Sequence, residues 1–273
     1  MRFPDTAGPI LDRHLVQLER QLAEARRQLS VARSLLTMED PAMLSLHASA
    51  ADLRAGLLDV RFAVSADPEL PMLGGVLFDV MADRLRLIAT DRYRMAVASL
   101  AVGELTGEPA ELLLPVTLVD RLIAGLTGQE GDLTISRQAD VVSFAFAGKE
   151  ISGSELPLDF PDYRPWAVAA EAERVPIDVP ELRAALAAAP GITKVRDSDG
   201  ASYQLTVLAI SPDGVRVADD GSVGVNKEFL LQALEAGRGE QLTMELDGPI
   251  GPLTIRNPDR AEHLSVLMPV RLD

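Results

Sequence analysis

Histidines, carboxylates and arginines are the residues from which this chain would build chemistry, and their spacing argues against catalysis. The three histidines, His14, His47 and His263, lie far apart, and there is no cysteine. Zinc-type sites need three or four such ligands brought together, so no metal ligation is expected. Asp197-Ser198-Asp199-Gly200 opens like a calcium loop, but no glutamate closes it at the required spacing. It reads as a hairpin turn, as do Asp213-Gly214, Asp219-Asp220-Gly221 and Asp247-Gly248. No P-loop, G-x-S-x-G elbow or H-E-x-x-H helix occurs. The expectation is a non-enzymatic protein with no cofactor, whose work is recognition.

Charge and length narrow this further. Lys and Arg number 26 against 41 Asp and Glu, for a net charge of −15. An acidic total opposes non-specific coating of nucleic acid, although a local basic patch stays compatible with it. The 273 residues, 47% of them apolar, suffice for two domains. No apolar run reaches the ~18 residues that span a bilayer, and no signal peptide opens the chain. A cytoplasmic protein without membrane contact is expected.

Any binding residues must be positioned by regular elements. Leu70 to Ala96 reads as a meander: Val76, Phe78 and Val80 alternate along one strand, and Leu85, Leu87 and Ala89 along the next. Thr90-Asp91-Arg92-Tyr93 makes a polar corner before a third strand beginning at Met95. Both faces of these strands are apolar, so something apolar must cover each.

Around the meander, Leu44 to His47 reads as a strand. Ser49 caps a helix with Leu53, Leu57, Val60 and Val64 on its face, and Thr117 caps another. Leu133 to Ile135 and Val141 to Phe146 form a hairpin. Pro157 to Trp166 is a proline-rich link, whose tryptophan serves either as an anchor between domains or as part of a groove.

The order then repeats. Val175 to Ile177 is a strand, Pro180 to Leu186 a helix, Tyr203 to Ile210 and Val215 to Ala218 strands, and Asn226 a second cap. Leu242 to Met244, Leu253 to Ile255 and Leu264 to Leu272 finish a sheet. Such a repeat of strands with helices on one face gives an α+β class.

Three motifs carry a resemblance. The leucine- and glycine-rich first strand followed by ATDRYRMAV resembles the middle domain of bacterial DNA polymerase III β sliding clamps. Phe160-Pro161-Asp162-Tyr163-Arg164 resembles the segment closing that domain. The run from Val225 to Leu234, with the terminal Leu267 to Leu272, is similar to the last clamp domain. The resemblance implies two tandem clamp-like (DNA clamp) domains, at 44–168 and 169–273. It also implies a groove between them for a small ligand or linear peptide. Its positions by resemblance are Leu73, Thr90, Tyr93, Arg94, Met95, Pro161, Trp166, Val266, Met268, Pro269, Val270, Arg271 and Leu272. Met95, Val266 and Met268 would offer soft apolar surface, while Arg94 and Arg271 would hold a carbonyl or carboxylate. Trp166 and Pro165 depart from the family, which often carries a small apolar residue and an arginine there. The tryptophan would either fill the groove or wall it.

Residues 1–43 read differently. Leu11, Leu15, Leu18, Leu22, Ala25, Leu29, Ala32 and Leu36 alternate by four and three, an a/d seam of a long coiled-coil helix. Such a helix needs a partner: its own domains, or a second copy in a homodimer zipped along Leu11, Leu15, Leu18, Leu22, Leu29 and Leu36. The stretch resembles the dimerisation helix of MerR-type transcription regulators, which follows a winged helix-turn-helix. Only about ten residues precede it here, so DNA contact is expected only through a module absent from this chain.

Clamp rings present helices to phosphates. Here the four candidate lining helices carry Arg54, Arg61, Arg121, Arg183 and Lys227 against Asp52, Asp59, Asp120, Glu181, Glu228 and Glu235, which is no basic lining. The resulting expectation is the dimerising, effector-sensing part of a MerR-like regulator built on a clamp fold. The alternative is a clamp paralogue or decoy that binds clamp-seeking proteins.

Overall fold

A computed structural model describes residues 44–167, 173–196, 200–219, 221, 223–246, 251–260, 262–270 and 272. The heptad stretch, the Asp197–Asp199 part of the calcium-loop motif, Asp220, the Asp247-Gly248 turn and Arg271 lie outside these residues.

The first sandwich opens with β1 (Leu44–Ser49) and helix α1 (Ala50–Arg61). The meander follows as β2 (Gly75–Val80), β3 (Arg84–Thr90) and β4 (Arg94–Ala101), then β5 (Ala110–Pro115) and helix α2 (Val116–Gly125). Strands β6 (Asp132–Gln138), β7 (Val141–Phe146) and β8 (Lys149–Ser154) complete it. One sheet has the order β1-β6-β7-β8, the other β5-β2-β3-β4. Leu46, Leu53, Leu57, Phe78, Leu87, Leu122 and Phe144 are fully buried between them. Phe78 and Phe144 meet edge to face, with ring centroids 6.0 Å apart. Helix α1 sits so close that a Cβ on Gly56 would come within 2.9 Å of Leu87.

The second sandwich contains β9 (Glu173–Asp178), helix α3 (Val179–Ala188), β10 (Ile192–Val195), β11 (Ser202–Ser211), β12 (Gly214–Val217) and β13 (Val223–Asn226). Helix α4 (Lys227–Ala236), β14 (Gln241–Leu246), β15 (Leu253–Arg256) and β16 (Leu264–Leu267) follow. The sandwiches share one sheet of eight strands, β5-β2-β3-β4-β16-β15-β14-β9. The seam is antiparallel, pairing Met95 with Val266 and Val97 with Leu264.

With sixteen strands against four helices of three turns, the described residues are mostly β rather than evenly α+β. Ser49, Asp178 and Asn226 cap α1, α3 and α4 through their side chains. Thr117 does not cap α2: that helix begins after Pro115 with no side-chain cap, and Thr117 lies inside it. The last strand is shorter than expected and ends at Leu267.

The two-faced meander is covered on both sides, as its composition requires. Inward lies the sandwich core. Outward, Leu77, Ile88, Met95, Val97, Leu113, Leu264 and Val266 lie under Leu156, Leu158, Phe160, Tyr163 and Ala167 of the linking segment. Leu156 N–H donates to Leu113 O at 2.7 Å, fixing the segment to the edge strand β5. No helix among the described residues is long and apolar enough to cross a membrane.

Candidate functional site

Where the linking segment leaves the seam partly uncovered, a cavity of about 260 Å³ opens at the junction of the sandwiches. Of the residues expected from sequence, Leu73, Thr90, Arg94, Met95, Pro161, Trp166, Val266 and Met268 line it. Arg92, Phe160, Asp162 and Tyr163 line it as well. These four stood in the quoted motifs without being singled out.

The others go elsewhere. Tyr93 faces a neighbouring cleft, with Arg94, Arg196 and Phe229. Val270 N–H donates to Gly224 O at 2.7 Å, and Leu272 packs at Gly224, so both bind the tail to β13 instead of the cavity. Pro269, between Met268 and this bridge, is not among the lining residues.

The polar corner builds one wall. The Asp91 carboxylate accepts from Tyr93 N–H and Arg94 N–H at 3.0 Å each, and Thr90 Oγ1 donates to Arg94 O at 2.7 Å. Arg92 takes φ 79°, a left-handed conformation that a bulky side chain seldom adopts. The turn is thereby closed on itself, and the Arg92 side chain is exposed at the rim.

Arg94 is not the free anion holder expected. Its Nε donates to Asp91 at 2.9 Å, its Nη1 bonds Gln232 Oε1 of α4, and its guanidinium lies 3.9 Å over the Phe229 ring. Burial pulls its pKa below arginine's ordinary value, against the opposing pull of Asp91. It binds one sandwich to the other.

The opposite wall is the linking segment. The Tyr163 hydroxyl donates to buried Asp79, and burial first, then this bond, pushes its pKa up to about 12. Arg164 pairs with Glu111 and lies 3.8 Å from Asp79. A single helical turn, Arg164–Ala167, then presents Trp166, which is 48% exposed. The tryptophan walls the cavity and leaves it open.

On the inner face the helices stand side by side as α2-α1-α4-α3. Arg61 pairs with Asp120 at 2.6 Å, Arg54 Nε donates to Ile123 O, Arg121 to Ser152 O and Lys227 to Ala189 O. Arg183 reaches Glu235 at 4.0 Å. Asp59, 5% exposed, accepts from Arg238 at 2.6 Å and from Arg260 at 3.0 Å, closing the inner side of the junction. His263 Nε2 lies 2.9 Å from Ser99 O, and because a carbonyl only accepts, that nitrogen carries the proton. This cluster escaped the sequence reading because its members lie some 200 residues apart. No group of ligands able to hold a metal ion occurs among the described residues.

A central domain between two sheets, a seam shared with a second sandwich and helices on one face define a recognisable architecture. Residues 49–162 match the family model of the DNA polymerase III beta subunit, central domain. A sliding clamp from Pseudomonas aeruginosa, solved with ligand, superposes with a TM-score of 0.73 at 22% identity, over 86% of this chain and 68% of that one. The fold is that of a bacterial sliding clamp.

A sliding clamp from Bartonella birtlesii bound to griselimycin gives a TM-score of 0.69 at 21% identity, over 86% and 67% of the two chains. In sequence, the beta sliding clamp of Vibrio cholerae is 24% identical over 81% of this chain and 64% of its own length. That of Escherichia coli K12 is 25% identical over 73% and 58%. The chain thus spans about six-tenths of the length of these relatives.

These findings overturn the regulator. The relatives are named as beta sliding clamps, so the alternative reading, a clamp paralogue, fits better than the effector part of a MerR-like protein. The expectation of a non-enzymatic protein stands with the clamp fold.

Proposed function

We propose that this chain is a clamp paralogue that binds clamp-seeking proteins of DNA replication or repair in the cytoplasm. Its domains are 44–168 and 169–273, and its binding site is the groove between them. The observation that carries this reading is the open cavity of about 260 Å³ at the seam, walled by Leu73, Met95, Trp166, Val266 and Met268. Apolar side chains would take the anchors of a short linear peptide, and exposed Arg92 would hold a carboxylate or carbonyl at the rim. Copies pair through the heptad of Leu11, Leu15, Leu18, Leu22, Leu29 and Leu36, so that one dimer presents two grooves.

Trp166 is the chain's single tryptophan, and its fluorescence reports the groove directly. Titration with a ten-residue peptide from the clamp-contacting end of the host's replicative polymerase should shift its emission saturably. Met268→Asp should remove the response while leaving the melting temperature in place. An unchanged emission at millimolar peptide would refute the groove as a peptide site.

A further inference from the structure

The shared sheet shows how one clamp-type sandwich joins the next: β4, eight residues long, lies along β16. It holds the fourth place in the order β5-β2-β3-β4. The second sandwich repeats the first three places, with β13 and β12 on either side of β11. Among the described residues no strand fills its fourth place. In the first sandwich, residues 91–109 separate β3 from β5 and contain β4 with both its turns. In the second, only the five residues 218–222 separate β12 from β13. Those two strands lie on opposite sides of β11, roughly 10 Å apart at two strand spacings. Five extended residues reach at most about 18 Å. The crossing uses them, and no length remains for a strand out and back.

What stands at that side instead resists pairing. β10 and β12 have four residues each, and β10 carries Lys194; short strands bearing lysine are how proteins blunt a sheet edge. Ile192 and Val195 are exposed on β10, but positions three apart point to opposite faces of a strand, so they form no shared patch.

We infer that copies of this chain do not join head to tail through the second sandwich, and so do not close as a ring around duplex DNA. The helix row argues the same way. Arg61 and Arg183 are paired with carboxylates, Arg54, Arg121 and Lys227 donate to backbone carbonyls, and with six carboxylates on the same helices the row offers phosphate no net positive charge. This inference goes beyond peptide binding at the groove and does not depend on it.

The absence of cysteine makes the test direct. Ser154→Cys on β8, the edge strand of the first sandwich, is combined with Val195→Cys on β10, and a bifunctional maleimide is added. A head-to-tail ring would give a ladder of linked copies that needs both cysteines. The expected result is no species beyond those of the two single-cysteine variants; a dimer held by residues 1–43 would not create such a ladder. A control pair, Ser99→Cys with Glu262→Cys, spans the β4–β16 seam within one chain, and its cross-link by mass spectrometry shows that the reagent reads such joints. In parallel, the unmodified chain is titrated against a fluorescent 30-base-pair duplex at 50 mM salt, where no anisotropy change is expected. A two-cysteine ladder, or salt-sensitive duplex binding, would overturn the inference.

Discussion

On the helix side of the seam, Asp59 holds Arg238 and Arg260 across the two sandwiches, and the polar groups face one another. On the other side, Met95, Val266 and Met268 face an open cavity, with Trp166 half exposed beside them. Both sides belong to the same pair of strands, β4 and β16. One side holds the sandwiches together through directional charge pairs. The other leaves apolar surface unfilled, which is how a surface that receives a partner differs from one that only holds.

Removing a charge from the holding side should have the largest effect. Asp59→Ala leaves two arginines facing each other. A fully buried pair broken in this way costs about 3–5 kcal/mol. Arg238 and Arg260 are 40% and 29% exposed and recover some water, so about 2–3 kcal/mol is expected from urea unfolding. An effect below about 0.5 kcal/mol would mean that the seam's backbone pairing alone holds the sandwiches.

Tyr163 lies between the two kinds of surface, since it lines the cavity but is fixed by a buried carboxylate. Tyr163→Phe leaves Asp79 short of a donor and should cost about 1–3 kcal/mol near neutral pH. The pH dependence has a definite sign. The folded hydroxyl titrates near 12, above tyrosine's usual 10. Its stabilising share is therefore complete below pH 10 and is lost as pH rises towards 12. The gap in melting temperature between the two proteins should narrow across that window. A constant gap would assign the loss to packing.

On the receiving side the balance reverses. Trp166→Ala should change stability by under about 1 kcal/mol, because the side chain is half exposed. It should nonetheless weaken peptide binding roughly tenfold, about 1.4 kcal/mol, measured by calorimetry since the fluorophore is gone. Equal losses in stability and affinity would show Trp166 to be an anchor between the sandwiches. The smallest effect belongs to the helix row: Arg61→Ala breaks an exposed pair with Asp120 and should cost about 0–1 kcal/mol.

The receiving side was more legible in the sequence than the holding side. The alternation in β2 and β3 and the two apolar faces of the meander already required a cover, which the linking segment provides. Met95 and Val266 lie on paired strands with a fixed period, whereas Leu73, on the turn before β2, and Met268, past the end of β16, were placed by the resemblance to clamps. Charge pairs carry no such period. Asp59, Arg238 and Arg260 are brought together by the fold alone, and Arg94 read as available because its partner Gln232 stands on a distant helix. β8 was missed because Lys149–Ser154 has no apolar alternation and holds its place through pairing with β7. The tail was read as one long strand, yet the chain turns at Met268 to pair with Gly224. The heptad of residues 1–43 drew the functional reading towards a regulator, whereas the globular part matches clamps.

The seam also sets an order of events during synthesis. β4, at Arg94–Ala101, is made well before its partner β16, at Leu264–Leu267. The first sandwich can complete its core while the chain beyond it is still being translated, but until β16 emerges from the ribosome, β4 presents a bare eight-residue edge. Such an edge is prone to mispairing. Slow translation or truncation ahead of β16 should therefore leave a nascent species that needs chaperones, although every residue of the first sandwich's core is already present.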